Sequence, residues 1–578
     1  MNNNETLLHH LLNRKEISKN DFAIQFKDSG RWLRYRWSEY YGLIETIGAG
    51  LAKIGLARGD RVGLIANNRP EWIIADLATM GLGAVTVPVY TNNLEDDVQF
   101  ILNDAKVKIL ILEDAIQLEK WNKIKTQCDT IEQVILLENI KDKSKSLVSW
   151  QELLNKGREH LVENPRFFSD EAKKSTLQDL ATLVYTSGTT GRPKGVVLTH
   201  EQIMSELTDI FNMVTLNHED MCLSFLPYSH VLGRVEAWGN VYTGYVLAFA
   251  ESIDKIKANL QEIQPTFIIS VPRIFEKIYA GILAQVENSK VKKAIFDRAL
   301  EVGYRVSEAI QKNKPLGIAL TLEYEVAKNL VFNNILKALG GKLRFAVSGG
   351  APLSAEISKF FHGMGLLICE GYGLTETTAG AFFNSPLAYK FGTVGRPLGD
   401  VKVKIAEDGE ILIQSKKVMK EYYNNPEATQ AAFEDGYFKT GDIGHLDEDG
   451  FLHITDRKKD LIKTAGGKYV APQKLENLLK LNPNISNVLI HGDQKKYIVA
   501  LITLPSHLVS KAADQETFNL IKDAVAEANT SLASHESIKK FTILDHDFTV
   551  DTGELTPSLK VKRKFCDNKY KKEIDELY

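Results

Sequence analysis

Cysteine is scarce in this chain. The four, Cys128, Cys222, Cys369 and Cys566, lie far apart with no CxxC pair among 578 residues. Such spacing supports neither a disulfide framework nor a zinc site, and it fits a reducing compartment, the cytoplasm. Long apolar runs are missing too. The longest candidate, 241–250, is about half of the roughly 20 residues of a membrane helix and contains Gly244. The opening MNNNETLLHHLLNRKE is polar and has no secretory apolar core. An excess of one charge is lacking: 71 Lys and Arg stand against 74 Asp and Glu, a formal net charge of -3. No global field therefore selects nucleic acid, and no basic stripe or nucleic-acid motif is present. Peripheral membrane contact and a homodimer stay open. Fixed-period repeats and low-complexity tracts are also absent.

What is present reads as globular: 44% hydrophobic and 25% charged residues, in a chain too long for one core. The most informative segment is LVYTSGTTGRPKGVVLTH, 183–200. Two apolar, β-rich runs bracket Ser, Thr, Gly, Pro and Lys. Small residues let backbone N–H groups approach a bulky anion, while hydroxyls and Lys194 add donors and charge. That composition suits phosphate oxygens. It is not the Walker A loop, which needs G-x-x-x-x-G-K-[ST] opening into a helix. Here Gly188 and Gly191 are three apart, Pro193 precedes Lys194, and a strand follows. The expectation is a phosphate loop in a strand–loop–strand unit.

Strands and helices alternate along the rest. Residues 1–60 read as mostly helical. RVGLIANN (61–68), AVTVPVY (84–90), VKILILED (107–114) and QVILLEN (133–139) read as buried strands. CLSFLP, TFIISVP, LRFAVSGG and LLICEGYG are further strand-then-turn units. This alternation predicts an α/β fold with mainly parallel sheets flanked by helices. Ligands in such sheets sit at the carboxyl ends of strands. Thr199 and Gln202 are spaced as a capping box. VKVKIAEDGEILIQS (401–415) reads as a hairpin about its Asp-Gly turn. Residues 273–340 read as a solvated helical layer. DRKKD (456–460) breaks the pattern and sets a boundary, giving a large unit, 1–456, and a small α+β unit, 457–578.

The motifs YTSGTTGRPKG, SGGAPLS (348–354), EGYGLTETT (370–378), TGD (440–442) and DRKKDLIK (456–463) occur in one order. Together they resemble the AMP-forming adenylating enzymes. LPYSHVLGR, VPRIFEKIY and the terminal ELTPSLKVKRK look most like the long-chain fatty acyl-CoA synthetase branch. The resemblance runs from about residue 20 to the end. It implies a large, multi-lobed N-terminal unit, a small mobile C-terminal one, and ligation of a fatty acid to CoA at the expense of ATP.

The resemblance also implies roles. Thr186, Ser187, Gly188, Thr189, Thr190, Gly191 and Lys194 would hold the β- and γ-phosphates. Glu376 and Thr186 would bind Mg²⁺, since hard cations take oxygen ligands. Thr375 would touch the α-phosphate. Tyr372 would stack on adenine, lined by Gly349, Gly350, Glu370 and Gly371; an aromatic beside glycines offers a face and room for a flat ligand. Asp442 would take the ribose hydroxyls with Arg457. His230 would close the carboxylate end of the acyl pocket, whose channel is expected among residues 226–250 and 271–280. Trp238 does not match a gate position. Lys560 would bridge carboxylate and α-phosphate, with Lys562 as the alternative, because this branch lacks the common PKTxSGK form. Lys459 would be the hinge. Lys463, Gly466 and Gly467 would line the CoA tunnel.

Other readings are activation of a medium-chain, aryl or amino acid, and a nucleotide-binding scaffold without catalysis. The absence of a carrier-protein segment after residue 578 disfavours a peptide synthetase.

Overall fold

The computed structural model describes residues 5–140, 147–186, 192–287, 289–550, 552–556 and 560–578. Two large sheets organise the N-terminal part. The first has seven strands in the order 147–149, 133–136, 109–112, 61–65, 85–88, 180–186 and 194–199, parallel except for the final pair. The second has nine: 396–397, 382–383, 367–372, 345–348, 267–270, 221–224, 246–249, 22–28 and 31–36. Its centre is parallel, with antiparallel pairs at both edges. Strands of this kind are covered on both faces, so they read as unbroken apolar runs. ILIL at 109–112 is buried at every position.

The helix Pro70–Gly81 starts with proline at its first turn and buries nearly every residue, including Trp72. A helix apolar all round belongs inside the protein. Its one buried acid, Asp76, meets the Arg234 guanidinium and the Trp238 indole N–H from the helix Val231–Thr243. These contacts pair the buried acid and the indole, while the Arg234 Nε is left without a hydrogen-bond partner among the described residues.

The capping box forms: the Thr199 N–H donates to Gln202 Oε1 at 2.7 Å and starts the helix His200–Asn212. The Asp-Gly turn also forms, with Gly409 at φ +84° between strands 402–405 and 410–414. These strands belong to a third, antiparallel sheet with 433–434, 437–446 and 452–457. Beyond residue 460, strands 488–491, 498–502 and 538–543 form a small sheet, packed with helices Pro472–Leu479 and Gln515–Thr530 around its own apolar cluster.

One segment departs from expectation. Residues 1–60 hold the helices Leu7–Ile17 and Trp37–Lys53, but between them lies a hairpin, Phe22–Asp28 with Arg31–Arg36. Its turn is Ser29-Gly30, both at positive φ, the twist a tight hairpin requires. The hairpin extends the large sheet by pairing parallel to 246–249.

Candidate active site

The strand ends of both sheets and the third sheet meet at one cavity of about 340 Å³. That is the size range of small-molecule sites. Its two ends differ in chemistry.

The polar end begins at the strand pair 180–186 and 194–199. Thr186 and Lys194 are cross-strand partners at the mouth of the intervening loop, and both line the cavity. Ser187, Gly188, Thr189, Thr190 and Gly191 lie outside the described residues. The Lys194 ammonium stands 4.9 Å from the centre of the Tyr422 ring. The Tyr422 hydroxyl donates to Glu376 Oε1 at 2.7 Å, which fixes the carboxylate beside the lysine. Glu376 Oε2 takes no hydrogen bond from the described residues. The Glu376 carboxylate and the Thr186 hydroxyl are hard oxygen donors on one wall, a set that fits Mg²⁺ when phosphate and water supply the remaining ligands. Among the described residues, no group of three or more His, Cys, Asp or Glu could hold a metal alone.

Gly349, Gly350, Gly371, Tyr372 and Thr375 form the adjoining wall. Gly350 has φ +82°, a left-handed conformation that favours glycine. The Tyr372 hydroxyl donates to Asp442 Oδ2 at 2.6 Å, and Arg457 Nε donates to Asp442 Oδ1 at 3.0 Å. The strands carrying Asp442 and Arg457 pair at those residues. Arg457 lines the cavity, while Asp442 sits behind Tyr372 and Arg457. Glu370 is also behind the wall. It accepts from the Ser358 hydroxyl, and burial pushes its carboxyl up to about 8.

Lys560 enters this space from the small C-terminal part; Lys562 does not line it. Its Cε comes within 4.0 Å of where a Cβ on Gly350 would lie. The side chain is exposed to the cavity, with protein atoms crowding around its end. Burial first, then the Arg457 cation, lower it to about 8, with Asp442 acting in the opposite sense. Lys459 and Asp460 line the same margin.

His230 caps the helix Val231–Thr243, its Nδ1 accepting from the Leu232 N–H at 3.2 Å. Burial and the Lys560 cation lower its pKa to about 4, so the ring is neutral at pH 7. With Nδ1 accepting, the proton belongs on Nε2. His230 therefore brings a hydrogen-bond donor to the cavity without a charge.

Past His230 the wall turns apolar: Ile210, Phe211, Val214 and Leu216 from one helix end, Val235, then Phe267, Ile269, Phe345 and Val347 from neighbouring parallel strands. The expected channel at 226–250 is met only at 230–235, and none of 271–280 lines the cavity. In 226–250 the side chains after Val235 are used in the core, as with Trp238 on Asp76. Residues 272–287 form a helix that packs on the large apolar core through Ile274, Phe275 and Tyr279, and its first turn reaches the C-terminal part. From it, Arg273 donates to the Ser486 carbonyl and the Ser486 hydroxyl, each at 2.6 Å.

Lys463, Gly466 and Gly467 are outside the cavity wall. They belong to a small hairpin, 462–463 with 469–470, closed by hydrogen bonds between Thr464 and Lys468. Gly467 has φ +75°, and the space beside it is open. Thus Lys560 is inside the site while the glycine hairpin is outside.

Side chains missed by sequence reasoning are Tyr422 and the apolar wall. Tyr422 carried no motif. The apolar positions look like any other core residue until the strands are set side by side.

An α/β frame, a glycine-walled polar end and a lysine from a small C-terminal unit define an adenylate-binding enzyme. The comparisons agree. The family described as AMP-binding enzyme matches residues 14–423, and the AMP-binding enzyme C-terminal domain matches 459–578. The chain belongs to the AMP-binding enzyme family. It is 37% identical over 568 residues to the long-chain-fatty-acid–CoA ligase FadD15 of Mycobacterium bovis, covering 95% of this chain and 93% of that one. It is 30% identical to the rat long-chain-fatty-acid–CoA ligase ACSBG1, covering 96% and 83%. The solved adenylation domain of a carboxylate reductase from Mycobacterium chelonae has the same fold, with TM-score 0.78 at 21% identity over 99% of this chain and 91% of that one.

Proposed function

We propose that this enzyme is an AMP-forming long-chain fatty acid:CoA ligase. The observation that carries the reading is the single cavity, in which a polar end suited to phosphates continues into a wall of aliphatic and aromatic side chains. Lys560 and His230 border both.

A carboxylate resists thiol attack because its leaving group would be oxide. ATP solves this in two steps. A carboxylate oxygen attacks the α-phosphorus, and the bond to the β-phosphate oxygen breaks, releasing pyrophosphate. The CoA sulfur then attacks the acyl carbonyl, its proton passes to solvent, and AMP leaves with the electron pair. In the first step Lys560 stabilises negative charge as it spreads between carboxylate and α-phosphate. His230 Nε2–H orients the carboxylate, and the apolar wall holds the chain. Lys194 takes the outer phosphates, Thr375 the α-phosphate, and Arg457, held from behind by Asp442 rather than joined by it as expected, the ribose. Adenine lies against Tyr372 and Gly349–Gly371. Bound with ATP at Glu376 and Thr186, Mg²⁺ would neutralise phosphate charge.

The second step needs room for pantetheine where Lys560 now stands. Our reading assigns 1–456 as the fixed unit and 457–578 as the rotating one, hinged at Lys459. Rotation withdraws Lys560 and brings in the Lys463–Tyr469 hairpin, where Gly466 and Gly467 allow a thin chain to pass. Amino-acid activation is the weaker reading. Glu206, on the same helix as Ile210 and Phe211, is already engaged by Lys417 and the Gly380 N–H, leaving no free carboxylate there for an ammonium.

The test is CoA-dependent AMP formation across a ladder of straight-chain acids. Turnover that rises toward long chains supports the reading. Turnover confined to amino or aryl acids contradicts it.

A further inference from the structure

The helical layer at 290–344 does not present the fully polar face that its composition suggests. Val291, Ile295, Ile310, Ile318, Leu322, Val326 and Leu330 are all exposed there, seven of the nineteen large exposed apolar side chains among the described residues. Single exposed apolar residues are ordinary; a cluster is not. Four of these form a stripe at i, i+4, i+8 and i+12 on the helix Ile318–Ala327 and the turn that continues it: Ile318 83%, Leu322 64%, Val326 57% and Leu330 62% exposed. Helical spacing of this kind aligns side chains along one face. The helix Lys290–Gln311 packs against it, tied by Arg305 to Glu323.

The segment that carries the stripe is rich in positive charge. Residues 290–344 carry eleven Lys and Arg but five Asp and Glu, in a chain whose net charge is -3. Of those acids, Glu301, Glu308, Glu323 and Glu325 are each paired with a neighbouring cation. Lys290, Lys292, Lys314, Lys337 and Lys342 have no acidic partner within ion-pair distance among the described residues.

We infer that this face docks on an anionic membrane surface, with the Ile318–Leu330 stripe entering the lipid interface and the segment's lysines meeting phosphate headgroups. Apolar side chains flanked by Lys and Arg are the pattern of interfacial helices. A second copy of the chain fits less well. A two-fold contact sets a patch against itself, so the same excess of positive charge would face its own image. No helix among the described residues is long and apolar enough to cross a membrane, so the contact would lie on the surface. The inference uses no residue of the cavity and stands apart from the proposed activity.

The experiment is co-sedimentation of the full chain with vesicles of phosphatidylcholine, with and without phosphatidylglycerol, at low and high salt. The expected result is pelleting with the anionic vesicles that weakens with salt. The variant Leu322→Glu/Val326→Glu should lower the partition coefficient about tenfold. Lys314→Gln/Lys337→Gln should lower it several-fold and flatten the salt dependence, a change that leaves the apolar stripe intact. Unchanged thermal melting shows that each variant is folded. Equal pelleting of wild type and both variants would overturn the inference, as would failure of the wild type to pellet with anionic vesicles. So would a dimer that Leu322→Glu/Val326→Glu dissociates while vesicle binding is unaffected.

Discussion

The two ends of the cavity are built differently. The polar end comes from turns and strand ends, where Gly, Thr, Lys and Glu stand in short ordered motifs: Thr186 and Lys194, Gly349-Gly350, Gly371 to Glu376. The apolar end comes from the interiors of a helix and of parallel strands, where Phe267, Ile269, Phe345 and Val347 are indistinguishable by type from the core. Chemistry that needs unusual residues leaves a mark in the sequence. Specificity made from ordinary residues in a particular spatial arrangement does not.

The sharpest way to break this comparison is to remove the cation that enters the polar end. Lys560→Ala should lower acyl-adenylate formation by about a thousandfold, because a charge aimed at the transition state is lost. Thioester formation from supplied acyl-AMP should be spared. Half-reaction assays check both, and the same loss in Lys562→Ala would reassign the role. Glu376→Gln comes next, with an expected loss of about a hundredfold in adenylation and a weaker response to added Mg²⁺, measured by magnesium titration.

At the other end, Val347→Trp should shift the ratio of kcat/KM from long toward short acids by about tenfold to a hundredfold, while KM for ATP is unchanged. A matching rise in KM for ATP would show that the two ends are not separable. The smallest effect concerns the tie between the two units. Arg273→Ala removes two hydrogen bonds to Ser486 and should slow adenylation about tenfold relative to thioester formation. Equal slowing of both halves would make Arg273 a stability residue only.

Much of the fold was legible. The buried strands, the capping box at Thr199 and the Asp-Gly hairpin followed from local patterns. The hairpin at 22–36 was not, because Ser-Gly is a weaker turn signal than Asn-Gly and its strands lie between helices. Within the site, the ordered motifs pointed to residues that the fold gathers at one cavity: Thr186, Lys194, Tyr372, Glu376, Arg457 and Lys560. Glu370 and Asp442 share those motifs but stand one layer back, Glu370 on the Ser358 hydroxyl and Asp442 on Tyr372 and Arg457. The acyl wall escaped notice because adjacency of 267–269 to 345–347 is a property of strand order, set by residues far apart in the chain.

The central claim is that Lys560 is the cation at the junction of the two ends. The pH dependence of kcat/KM for adenylation tests it most directly, since that quantity reports groups of the free enzyme. Enclosure lowers the Lys560 ammonium to about 8, so the charged form prevails below that pH and is lost above it. Adenylation should therefore fall as pH rises through about 8, and in Lys560→Arg, whose guanidinium keeps its charge, that limb should vanish from this range. A limb at the same pH in Lys560→Arg would contradict the account.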